Sequence, residues 1–128
     1  MKANGFTLIE VMIAVVIVAI IASIAYPSYQ SFVGRGYRGE AHSQLNRVAN
    51  LQEQYYMDNR AFTTDLTQLG LATSPFETDS GRYKISATLA GGSYTLTAAA
   101  QGNQLTLDSS CTSLVLTMEG VKTPTECW

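Results

Sequence analysis

Between residues 6 and 26 the chain carries one ionisable side chain, Glu10, and from Val11 onward it is built almost wholly of Val, Ile and Ala. At about 1.5 Å of rise per residue such a segment is a rod of roughly 30 Å, the thickness of a bilayer's hydrocarbon core. Its β-branched content does not argue for a strand. In lipid every backbone amide has to be bonded within its own segment, which a helix achieves and an open strand does not. A membrane-spanning helix is therefore predicted. Lys2, the only charge before it, is expected on the cytoplasmic side, which sends the rest of the chain across the membrane.

The competing reading is an ordinary secretory signal peptide cut near Ser23-Ile24-Ala25, but its apolar core is shorter than this one and ends at a small-residue site. Glu10 within the core also speaks against it. A carboxylate in a membrane segment costs at least ~2 kcal/mol on insertion scales and normally marks a function or a partner. The bland alternative places Glu10 among the headgroups, one turn from the helix end, where it costs little and does nothing.

Gly5-Phe6-Thr7-Leu8-Ile9-Glu10, after a short leader with one lysine, resembles the processing site of type IV pilins and their pseudopilin relatives. The resemblance implies cleavage after Gly5 by a prepilin peptidase and N-methylation of the new terminus at Phe6. It also implies pairing of Glu10 with the terminal amine of a neighbouring subunit during assembly. Electrostatics agrees with the pairing. A buried carboxylate needs a cation, and the cleaved helix has no Lys or Arg before Arg35 except its own terminal ammonium. The implied partners are other pilin subunits in a helical filament and an inner-membrane assembly platform. The implied location is the inner membrane, single pass with a cytoplasmic amino terminus, followed by an extracellular pilus.

Beyond the apolar run, Pro27 removes one helical hydrogen bond, and Gly34, Gly36 and Gly39 follow closely. A continuous but weakened helix, bending at Pro27, is expected here. Pilins with a proline at this place partly unwind on packing into a filament, although this chain has Ala19 where many carry glycine. From Glu40 to Asn59 the positions Ala41, Leu45, Val48, Ala49, Gln52, Tyr55 and Tyr56 recur at helical spacing, Gln52 being the one polar interruption. The opposite face holds Glu40, Ser43, Asn46, Arg47, Asn50 and Glu53, and His42 reads as a surface residue.

Residues 59–81 have the composition of an irregular connection, with one short helical turn at 66–71. Tyr83, Ile85, Ala87 and Leu89 then alternate with Lys84, Ser86 and Thr88, Gly91-Gly92 supplies a hairpin turn, and Tyr94, Leu96, Ala98 and Ala100 mark the return strand. A third apolar segment lies at 105–107. Leu114, Leu116 and Met118 form another strand before a turn at Glu119-Gly120 and a short strand at 121–123. An antiparallel sheet of three or four strands should pack on the helix between Ala41 and Tyr56, because neither surface is otherwise covered.

The fold class expected is thus α+β, the pilin fold: a long N-terminal helical spine with an antiparallel β-sheet on its C-terminal half. Its parts are a leader at 1–5, a transmembrane and filament-core helix at 6–39, and a periplasmic globular domain at 40–128. Cys111 and Cys127 close a loop of roughly fifteen residues, worth about 3 kcal/mol if bonded. An oxidising compartment makes a disulfide the expectation. A metal site is rejected, because two cysteines and one distant histidine lack ligand spacing for zinc.

No catalytic constellation or phosphate loop is present in the sequence, so neither an enzyme nor a cofactor is expected. Three functional readings remain. The first is a structural subunit of a type IV pilus, by preference a minor pilin, since Glu126-Cys127-Trp128 resembles the ending of small minor pilins. Adhesion, twitching motility and DNA uptake are the tasks such a filament serves.

The second reading is a DNA-capturing pilin using Arg82 and Lys84 on one side of a strand, helped by Lys122, Arg35 and Arg38. The balance of 8 basic to 10 acidic residues favours scattered solubilising charges instead. The third is a pseudopilin of a type II secretion machine. A disulfide-closed loop and the thinness of the Glu77 and Asp79 pair as a calcium site argue for the pilus.

Overall fold

A computed structural model describes residue 1 and residues 4–128; Lys2, with the cytoplasmic charge expected of it, lies outside the described residues. The chain is organised on one helix, α1 (Leu8–Asn59), of 52 residues. Thr7 caps it. The Glu10 N–H donates to Thr7 Oγ1 (3.3 Å) and the Thr7 N–H reaches back to the Glu10 carboxylate (3.5 Å), a capping box that satisfies donors the helix start would leave open. At its far end Arg60 adopts a left-handed conformation (φ 56°), and its N–H donates to the Tyr56 carbonyl.

The helix runs unbroken through Pro27 and through the glycines at 34, 36 and 39. Within it no residue is buried before Gly34, so α1 is two objects in one: a bare apolar limb and a half-covered outer part. The covered face comprises Gly34, Ala41, Leu45, Val48 and Gln52. Tyr56, expected to close this stripe, is 39% exposed and stacks on Phe62 (centroids 4.7 Å apart) instead of entering the core.

Residues 60–75 cross to the sheet, with one 3-10 turn at Leu66–Leu69 capped by Asp65. The sheet strands are β1 (Phe76–Glu77), β2 (Tyr83–Ala90), β3 (Ser93–Ala100), β4 (Ser113–Thr117) and β5 (Lys122–Thr123), hydrogen-bonded in chain order and all antiparallel. Five strands replace the three or four expected. β1 was hidden because two residues are too few for alternation to register. Residues 105–107 are not a strand but part of a single helical turn, α2 (Gln104–Leu107).

The inner face of the sheet, with Tyr83, Ile85, Leu96, Ala98, Leu114 and Leu116, meets Ala41, Leu45 and Val48 of α1 in one core. Fully burying a leucine or isoleucine contributes about 1.5–3 kcal/mol, so these few side chains account for most of what holds sheet to spine. Leu89 has the inward parity but is 44% exposed, since β2 runs on past the core towards its turn. Tyr94 is buried and its hydroxyl donates to Glu53 Oε1 (3.2 Å). Burial and the neighbouring Glu53 carboxylate push its pKa up to about 12.

Candidate functional site

At the inner end, Phe6, Glu10, Val11, Ala14, Val15 and Val18 line an open apolar concavity of about 570 Å³ along the bare limb. Glu10 is exposed there, and its carboxylate is engaged with its own helix start. Such an exposed row of Ile and Val is unsuited to water. It fits lipid or the apolar helix of a neighbour.

Where the limb meets the head, one line of α1 makes a polar seam with the last quarter of the chain. Gly34 comes first: a Cβ added there would lie 2.8 Å from the Leu107 carbonyl oxygen, so only glycine admits α2 this closely. Gln104 is fully buried, and its Nε2 donates to the Gly34 carbonyl (2.8 Å) and to Tyr83 Oη (3.0 Å). Its Oε1 is buried without a partner among the described residues; reversing the amide would set two carbonyl oxygens face to face, so the orientation is forced.

Four residues on, Arg38 donates from Nε (2.6 Å) and Nη2 (2.5 Å) to the two carboxylate oxygens of Asp108, a bidentate pair with side chains only 16% and 7% exposed. Four further, His42 stacks on Trp128 (centroids 4.4 Å apart, planes 12° off parallel), and its Nε2 donates to the Cys127 carbonyl (2.8 Å). His42 is thus not the surface residue expected. The partners that enclose it lie 85 residues away in sequence, out of reach of helical periodicity.

The Cys111–Cys127 disulfide is formed as expected (S–S 2.05 Å), and both cysteines are buried. Burial lowers the His42 pKa from 6.5, with the Arg38 and Lys122 charges acting the same way and Asp108 and the Cys127 carbonyl opposing. A histidine with a depressed folded pKa stabilises fully above its unfolded value and loses that contribution as pH falls through about 6.5. Urea midpoints should therefore drop between about pH 7.5 and 5.5, and His42→Gln should remove that component; equal pH dependence in both proteins would refute it.

The cations proposed from sequence are not brought together. Arg82 precedes β2 and its guanidinium lies over the Tyr37 ring of α1 (4.8 Å), while Lys84 is exposed on the opposite, outer side of the sheet. Two-residue spacing put them on one side of a strand; the strand begins only at Tyr83, so the alternation does not extend to Arg82. Lys122 is exposed on edge strand β5 with its ammonium over Trp128 (5.1 Å), and Arg35 is exposed on α1. Arg38, named as a helper, is neutralised by Asp108. Glu40, assigned to the water-facing side, accepts from the Ser80 N–H (3.2 Å) and hydroxyl and so ties the β1–β2 turn to the spine.

A long apolar helix with its outer half covered by a disulfide-closed antiparallel sheet is the architecture of a type IV pilin. Residues 1–26 match the model of the prokaryotic N-terminal methylation motif, and residues 27–115 match that described as "Type IV minor pilin ComP, DNA uptake sequence receptor". The chain belongs to this type IV minor pilin ComP family.

Among similar proteins, fimbrial protein EcpC of Eikenella corrodens is 34% identical over 87 residues, 68% of this chain and 54% of that one. A fimbrial protein of Neisseria meningitidis is 35% identical over 90 residues, 70% and 51% of the two chains. The type IV major pilin protein PilA of Myxococcus xanthus is 32% identical over 86 residues, 67% and 38%. The chain spans about half the length of the curated relatives it matches first.

Proposed function

We propose that this minor pilin is made as an inner-membrane subunit and drawn into a type IV pilus, where its globular head captures DNA for uptake. The observation that carries the DNA reading is the match across 27–115, whose description names a DNA uptake sequence receptor. A prepilin peptidase removes residues 1–5 after Gly5 and the new terminus at Phe6 is methylated. Of the spine helix 6–39, the bare limb then leaves the bilayer for the filament core, drawn by the assembly platform, while 34–39 stay packed against the head formed by 40–128. Glu10, exposed in the single chain and engaged only by the Thr7 N–H of its own capping box, is the group that a neighbour's terminal ammonium pairs with, since a carboxylate without a cation in an apolar core is strongly unfavourable.

Of the cations that the sequence put forward, Lys84 and Lys122 are the two on the head open to meet phosphate. They are not on one face: Lys84 lies on β2 with the outward parity, whereas Lys122 on edge strand β5 pairs with inward-facing Leu116, roughly 15–20 Å away by strand spacing and register, so each would meet phosphate from a different side of the head. Arg82, held over Tyr37 on the spine side, is a fixed charge set apart from Lys84. The balance of 8 basic and 10 acidic residues keeps non-specific binding weak, which suits a receptor that reads a particular sequence.

The full chain in detergent should shift labelled duplex at low salt. Lys84→Glu with Lys122→Glu should weaken the shift and reduce the slope of log K against log salt by about 1 for each phosphate that is no longer neutralised. Absence of any shift at low salt sinks the DNA reading and leaves the filament role standing.

A further inference from the structure

The three glycines of the outer spine do not have the same reason to be there. Gly34 is buried under α2, and a side chain would collide with the Leu107 backbone. Gly36 and Gly39 are exposed or nearly so and have nothing within 4 Å of where a Cβ would stand. Nothing in the packing of the described residues requires either. A glycine inside a helix is nevertheless unfavourable relative to alanine, because its backbone has more freedom to lose. Residues 36–39 are therefore an intrinsically weak stretch of α1 that runs as regular helix all the same.

What holds the stretch in register is the seam on either side of it. Gly34, Arg38 and His42 fall at four-residue steps, hence on one line of the helix, and the weak glycines sit between them. The line is gripped by Gln104 at one end, by Asp108 in the middle and by the Cys127 carbonyl and Trp128 ring at the other. These grips all belong to residues 104–128, and the Cys111–Cys127 bond ties the Asp108 side to the Cys127 side. The limb on the other side, 8–33, has no buried residue and no tertiary anchor among the described residues.

We propose that residues 34–42 are a hinge between limb and head, kept closed by the seam and opened by its release. With Arg38–Asp108 intact, the helix is formed through both glycines and the limb is a rigid extension of the head. With the pair broken, the helix loosens at Gly36 and Gly39, the Gly34–Gln104 contact becomes the last grip on the limb, and the limb reorients as that contact yields while the sheet stays folded. The disulfide-closed segment is then the clamp of a joint as well as a stabiliser of the head.

Hydrogen exchange of the full chain in detergent micelles, resolved over 34–42 and over β2 and β3, tests this with three variants. Asp108→Asn places an amide N–H₂ against the guanidinium donors and should speed exchange at 35–42 by about tenfold or more, with β2 and β3 unchanged. Gly36→Ala with Gly39→Ala, which meets no steric obstacle, should slow exchange there by about fivefold for each glycine, in the parent as in the Asp108→Asn background.

The double alanine measurement stands even if Asp108→Asn fails to fold. The hinge is overturned if Asp108→Asn leaves 35–42 unchanged, if the acceleration spreads equally over β2 and β3, or if the alanines have no effect. The last result would mean that the glycines serve only the close approach of another helix.

Discussion

Replacing both Cys111 and Cys127 with alanine lowers the unfolding free energy of the head by about 3 kcal/mol, the loop-entropy value for a closure of this length. The two residues are 16 apart, and the closed segment contains β4, β5 and the turn between them. A head of this size has of order 5–14 kcal/mol of stability in total, so the loss is a large fraction of it. Urea unfolding of the full chain in detergent should show a lower midpoint, and dithiothreitol should bring the parent to the same value. A midpoint unaffected by both changes refutes the contribution. The partners of His42 extend the consequence: with Cys127 released, Trp128 loses its stacking position, so its near-ultraviolet signal should collapse at lower urea than the sheet signal.

Gln52→Leu destabilises the head by about 2–4 kcal/mol despite the gain in apolar character, because it strands two buried backbone groups. Gln52 is fully buried, its Oε1 accepting from the Thr63 N–H (3.1 Å) and its Nε2 donating to the Thr63 carbonyl (2.6 Å). It thus replaces for Thr63 the ladder partner that a strand would have supplied, and pins the chain as it turns back from the end of α1. Gln52→Glu keeps the shape and the acceptor but sets a carboxylate oxygen against the Thr63 carbonyl, so it should destabilise as well. A leucine variant as stable as the parent would show that the loop finds other partners.

In the sequence Gln52 is only an interruption in an apolar stripe, and that is typical of what could be read and what could not. The spine, its covered face from Ala41 to Val48, the β2–β3 hairpin and β4 were legible, since each repeats a period of 3.6 or 2 long enough to stand out. The bridge was legible because the chain has only two cysteines to join. Two-residue β1 and the single turn of α2 were not, because a pattern needs several repeats. Arg82 was misplaced for the same reason: two-residue spacing carries a side-chain direction only inside a strand.

The polar contacts escaped altogether. Arg38 and Asp108 are 70 residues apart, Glu40 and Ser80 are 40 apart, and His42 and Cys127 are 85 apart. A charged or polar residue on a helix reads as solvent-facing until its partner is placed beside it.

The sequence by itself determined the membrane-length helix, the processing motif around Gly5 and Phe6, the lone carboxylate at Glu10 and the alternation that makes the sheet, because each of these is written in neighbouring residues. Only the tertiary structure decided that Gly34 is a contact while Gly36 and Gly39 are spare, that Arg38 is neutralised rather than available, and that Lys84 and Lys122 stay open to solvent. Those outcomes depend on which distant segment folds onto which line of the spine, and local propensity carries no term for that.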